Sequence, residues 1–129
     1  MLKEGKMRKA LDQGTAWAIA GIGVLHAAAT WSIYKQFSMA AVWFFDAAVV
    51  LWLTAALNLL RIRYMAVAPG VRYVSIGANL VALATVMTVA AQSKPAQNVR
   101  GALFCLLILA ATIFSLRQPR ATAGGQATR

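Results

Sequence analysis

Four long apolar stretches occupy most of this chain, and its basic residues lie almost entirely between and beyond them. The stretches run over residues 15–34, 39–60, 71–92 and 99–116. A bilayer core about 30 Å thick is crossed by about 20 apolar residues in a helix. Each stretch is long enough, the last only just. The expected fold class is therefore all-α: an integral membrane, antiparallel four-helix bundle. A 129-residue chain with four spans has no room left for a soluble domain. What remains is a basic arm at 1–14, three short connections and a tail at 117–129, expected to be disordered.

Composition agrees. The chain is 60% hydrophobic and only 12% charged, against about 45–50% and about 25% in soluble domains. Its net charge of +10 does not point to nucleic acid, because the cations sit at span ends rather than along a groove. They follow topology instead. The arm (Lys3, Lys6, Arg8, Lys9), the middle connection (Arg61, Arg63, Arg72) and the tail (Arg117, Arg120, Arg129) fall on one side, and only Lys35, Lys94 and Arg100 on the other. Loops rich in Lys and Arg stay cytoplasmic. Both termini are thus expected in the cytoplasm of a bacterial inner-membrane protein, with anionic lipid head groups as partners of the basic side. Lys3–Lys9, an apolar run and Ala27-Ala28-Ala29 resemble a cleavable signal. The run continues through Trp31, Ile33 and Tyr34, which favours an uncleaved span.

Residue chemistry narrows the function further. One cysteine, Cys105, excludes an intramolecular disulfide and reads as a small packing residue. Aromatic belts are expected outside (Trp31, Tyr34, Phe37, Trp43, Phe44) and inside (Trp17, Tyr64, Tyr73). Trp52 falls near mid-membrane. The Ala- and Gly-rich first span suggests close helix packing.

Ionisable residues inside a span cost about 2.5–3.5 kcal/mol each, so His26 and Asp46 are the candidate polar or proton site. At 1.5 Å per residue they lie about 12 Å and about 10 Å below the outer turn. They are level on neighbouring helices, and a buried His26–Asp46 contact is expected. Three readings follow: structural glue, a proton-linked or cation-binding carrier site, or haem ligation by His26. Nearer the inner side, Asn58 is level with Ser75, and Thr54 with Asn79, giving two interhelical polar rungs. At about 100° per residue, Asn58 lies about 120° round the helix from Asp46, so one continuous polar stripe is not expected.

Val42-Trp43-Phe44-Phe45-Asp46 and Leu57-Asn58-Leu59-Leu60-Arg61 in the second span, with Ala78-Asn79-Leu80 in the third, resemble a loose group of small, uncharacterised bacterial four-helix inner-membrane proteins. The resemblance implies a fold and no activity. The expectation is a non-enzymatic accessory or self-associating membrane subunit, a homo-oligomer or part of a larger complex, with no metal and no cofactor. A small proton-coupled carrier using Asp46 and His26 is the alternative, and a haem-binding redox protein using His26 the third.

Overall fold

The computed structural model describes residues 2–64, 66–92 and 95–117, with side chains at 4–64, 66–89, 91 and 102–117. Among the described residues all secondary structure is helical: α1 (Leu2–Ile33), α2 (Met39–Tyr64), α3 (Pro69–Gln92) and α4 (Pro95–Leu116). Three of these helices, over Glu4–Ile33, Met39–Tyr64 and Pro69–Val89, are long and apolar enough to cross a membrane; Ala102–Leu116 is a shorter apolar helix. The expected tail beyond Arg117, with Arg120 and Arg129, lies outside the described residues, as do Lys94 and the side chains of Lys3 and Arg100.

Local chemistry sets the helix limits. Residues 2–14, expected as an arm ahead of the first span, are helical and continuous with it. Their Lys, Glu, Met, Arg, Ala and Leu residues are good helix formers, and no proline interrupts them. Ser38 caps α2: its hydroxyl oxygen accepts from the Ala41 amide at 3.2 Å, and its carbonyl from the Val42 amide at 3.1 Å. Pro69 opens α3 and Pro95 opens α4, at the position where the missing N–H is harmless. Helix α4 ends under two arginines from other helices. Arg72 donates to the Ser115 and Leu116 carbonyls at 2.9 and 2.6 Å, and Arg61 to the Phe114 carbonyl at 3.4 Å. These carbonyls have no partner within their own helix, and cations suit the negative end of the helix dipole.

The packing is small inside and large outside. Ala16, Ala48, Ala55, Ala82 and Ala111 are buried, around a core of Ile19, Leu51, Ala55 and Ala111. Trp17, Leu25, Trp43, Leu53, Val81 and Leu106 are exposed. Water would penalise such a surface, whereas lipid accepts it and leaves close contact between small residues to hold helices together. Polar side chains on the surface follow the same logic. The hydroxyls of Thr15, Thr85 and Thr88 donate to carbonyls one turn back, on Leu11, Val81 and Ala84, so they present no bare donor.

Helix α4 packs along one face, with Ile108, Ala111, Thr112 and Ser115 buried, and leaves Leu103, Leu106 and Leu116 exposed on the other. Its buried polar residues, Thr112 and Ser115, carry hydroxyls, small enough to sit between helices.

The tight first-helix packing is located at Gly23. A Cβ there would lie 2.6 and 2.7 Å from the Nε1 and Cδ1 atoms of Trp52 and 3.3 Å from the Ala48 carbonyl oxygen. Trp52 therefore packs within the molecule, over Gly23 and edge-on to Phe45. Gly23→Ala should lower stability in detergent by about 1–3 kcal/mol through overpacking. Gly21, two residues earlier, faces open space, and Gly21→Ala should stabilise or do nothing. Equal melting temperatures for the two variants would remove this contact as a determinant.

Candidate functional site

The expected His26–Asp46 contact is not formed. His26 is half-buried and stacks on Phe44, with ring centroids 4.1 Å apart and planes 17° from parallel. Tyr34 closes over the same ring at 5.7 Å. Asp46 is exposed on the outer side of α2 and makes no hydrogen bond or ion pair with any described residue. The reason is azimuth. Depth places residues 26 and 46 at one level, but Phe44 occupies the position opposite His26, and residue 46 lies about 200° further round the helix. Phe44 and Tyr34 are accordingly drawn inward, while Trp31, Phe37 and Trp43 stay on the surface where the outer belt was expected.

The inner polar residues do converge. Thr54, Asn58, Ser75 and Asn79 are all buried. Asn58 and Asn79 form a reciprocal amide pair: Asn58 Nδ2 donates to Asn79 Oδ1 at 2.7 Å, and Asn79 Nδ2 donates back to Asn58 Oδ1 at 3.1 Å. The Ser75 hydroxyl also donates to Asn58 Oδ1, at 3.1 Å. The rung expected between Asn58 and Ser75 is therefore present, and the one between Thr54 and Asn79 is not. Thr54 takes part through its carbonyl, which accepts from Asn58 Nδ2 at 2.9 Å. The shift follows from side-chain direction. Helical side chains lean towards their own N-terminus. On helices running in opposite senses, Asn58 leans towards the level of Asn79, and Asn79 towards that of Asn58.

Two further helices enter this cluster. From α4, the Ser115 hydroxyl accepts from Asn79 Nδ2 at 3.1 Å and donates to its own Ala111 carbonyl at 2.8 Å. From α1, Asp12 Oδ1 accepts from an Arg61 Nη2 2.6 Å away. Arg61 is almost completely buried, at 1% exposure, and Asp12 is 15% exposed. The same Arg61 nitrogen lies 3.5 Å from Asn58 Oδ1.

Proton accounting shows how nearly closed the set is. Each amide has two N–H donors and one oxygen with two lone pairs. Both hydrogens of Asn58 are placed, on Asn79 and Thr54. Both hydrogens of Asn79 are placed, on Asn58 and Ser115. The Asn58 oxygen is approached by Ser75 and Asn79 at 3.1 Å and by the Ser115 hydroxyl at 3.2 Å, so the 3.5 Å contact from Arg61 is secondary to its ion pair. Among the described residues, the one buried side-chain nitrogen or oxygen without a partner is Arg61 Nε.

Reading the sequence alone placed Arg61 among the topology-setting cations, left Asp12 within the arm at 1–14 and gave Ser115 no role. Spacing carried the missing signal. Thr54, Asn58 and Arg61 stand at i, i+4 and i+7, one face of a helix. No protein-family model, no curated protein and no solved structure matches this chain, so the resemblance of the second and third helices rests on its own residues.

Proposed function

We propose that this chain is a non-enzymatic membrane subunit, accessory to a larger complex or self-associating. In this reading all four helices span the bacterial inner membrane as an antiparallel bundle with cytoplasmic termini. One observation carries the proposal. The buried Asn58–Asn79–Ser75–Ser115 set joins three helices and leaves no amide or hydroxyl hydrogen of its own over for a ligand. A cluster of this kind clasps helices; it does not present groups to a substrate. Arg63, Arg72 and Arg117 lie where α2 and α4 end and α3 begins, and anionic head groups fit that end.

The direct test is the native state of the full chain. Size-exclusion chromatography with light scattering in a mild detergent, together with crosslinking in native membranes, should give a homo-oligomer or a stoichiometric membrane complex. A lone monomer in both measurements would overturn the proposal. Reporter fusions at each end should place both termini on the cytoplasmic side, and a periplasmic reading at either end removes that part.

A further inference from the structure

One stripe of α2 changes its surroundings half-way along the helix. Ala40, Trp43, Ala47, Val50, Thr54, Asn58 and Arg61 follow a 3-and-4 spacing. At about 100° per residue, all of them lie within about 40° of Thr54. Thr54, Asn58 and Arg61 are buried, at 3%, 1% and 1% exposure. Ala40, Trp43, Ala47 and Val50, on the same side, are exposed. Helix α3 covers the inner half of the stripe through Ser75 and Asn79, and it shows the same change. Ser75, Asn79 and Ala82 are buried, Val86 one turn on is only half-buried, and no described residue of α3 beyond Ala82 is buried. In α4 the buried positions among the described residues begin at Ile108.

The α1–α2 hairpin does not part in this way. Thr30 and Ala41 are buried at its outer end, and Gly23 meets Trp52 and the Ala48 carbonyl half-way along. The polar cluster thus ties α3 to α2 at the inner end, and towards the outer end the two helices separate. The side of α2 that faces the separation is apolar, with one carboxyl group at its edge. By the same rule Asp46 lies about 80° round the helix from Thr54, between the levels of Trp43 and Val50. It is exposed and makes no hydrogen bond or ion pair with any described residue. Neither of the chain's other two acidic residues stands near it: Glu4 is at the far end of α1, and Asp12 is paired with Arg61.

We infer that the outer part of the α2–α3 separation binds a lipophilic organic cation, a molecule with an apolar body and one positive charge. The body fits against Trp43, Ala47, Val50 and Val86, and the charge comes within reach of Asp46. Trp43 adds the attraction of a ring face for a cation. The two features select together. A lipid tail would cover the apolar wall and leave the carboxylate without a counter-charge, which is costly inside a membrane. A small hydrated cation would answer the carboxylate and gain nothing from the wall. With α2 spanning, Asp46 sits about 10 Å below the outer end of the helix, where a charge pair attracts more strongly than in water. The inference goes beyond the proposed function and rests on it only for the spanning arrangement of α2.

Calorimetric titration of the full chain in a non-ionic detergent with tetraphenylphosphonium, corrected for protein-free micelles, tests it. A single cation should bind per chain, and the neutral analogue triphenylphosphine oxide should bind about tenfold more weakly. Asp46→Asn keeps the size of the side chain and removes its charge; it should weaken the cation about tenfold and leave the neutral analogue unchanged. Asp46→Glu should retain binding. Ala47→Trp should fill the separation and abolish binding of both probes, whereas Leu25→Trp, on the exposed face of α1, should change neither. All four positions are exposed or at an edge, so the variants should unfold at the midpoint of the unaltered chain. The absence of saturable binding to the unaltered chain overturns the site. A cation that binds Asp46→Asn undiminished overturns the role of the carboxylate, and one that binds Ala47→Trp undiminished overturns the location. Disulfide dimers through Ala47→Cys in a Cys105→Ser background, formed in native membranes, overturn the cation as occupant in favour of a second copy. Failure of the binding arms leaves the proposed function standing, since its own test reads oligomeric state and topology.

Discussion

Arg61→Met is expected to lower the stability of this protein by about 3–5 kcal/mol, the usual cost of breaking a buried ion pair from one side. The guanidinium lies 2.6 Å from Asp12 and is 1% exposed. Removing it leaves a largely buried carboxylate on α1 with no cation. It also removes the donor to the Phe114 carbonyl at the end of α4, so one substitution loosens three helices. Asp12→Leu is expected to cost a similar amount for the mirror reason, a buried guanidinium left without its anion. The double variant Asp12→Leu/Arg61→Met should be far more stable than the summed losses predict, because apolar replacements of both partners leave no buried charge. Arg61→Lys should fall between, since a single ammonium cannot reach both the carboxylate and the carbonyl. Reversible unfolding in detergent, run as a double-mutant cycle, measures the coupling directly. If the two single losses simply add, the pair does not act as a unit and its place at the centre of the bundle is lost.

That ion pair also shows where reading the sequence succeeds and stops. Length and apolarity were enough to place four helices, while their observed starts at Leu2, Pro69 and Pro95 lie ahead of the apolar stretches themselves. Depth was legible as well, because 1.5 Å per residue turns sequence distance into height. It put Asn58 beside Ser75, as found. Azimuth was harder. His26 and Asp46 share a level, yet Phe44 takes the place facing His26 and turns Asp46 outward. The offset of about 120° between Asp46 and Asn58 already implied that both could not face one interior. The structure resolves the choice in favour of the residue that shares a face with Thr54 and Arg61.

Arg61 was obscured for a different reason. A cation at the end of a span satisfies the topology rule without any packing role, so its charge explained its position too readily. A buried arginine became necessary only once Asp12 was known to lie within α1 and to face it. Ser115 was lost in a long apolar run. Small hydroxyls hide easily there, since each can return its proton to its own helix, as Ser115 does to Ala111.

Asn58→Leu is the second large expected effect, a loss of about 2–4 kcal/mol. Interhelical hydrogen bonds in membranes contribute only about 0.6 kcal/mol on average, so simple counting of bonds would predict less. The larger figure comes from what is left behind. Without Asn58, both sides of the Asn79 amide lose their partner and the Ser75 hydroxyl loses its acceptor. Asn79 and Ser75 have 0% exposure, so water cannot replace what they lose. Stranded buried groups cost more than an absent bond. Ser115→Ala provides the contrast, because its proton rests chiefly on Ala111 at 2.8 Å and what disappears is the contact with Asn79 and a 3.2 Å contact with Asn58 Oδ1, which keeps Ser75 and Asn79 as donors; about 1 kcal/mol is expected. Asn58→Leu/Asn79→Leu should recover much of the single loss, since it removes the amide pair from both sides and leaves only Ser75 and Ser115 to repartner. Unfolding of these variants in one detergent, compared on one scale, decides the matter. An Asn58→Leu protein no less stable than Ser115→Ala would mean that the four helices are held by apolar packing alone and that the polar cluster is incidental to the fold.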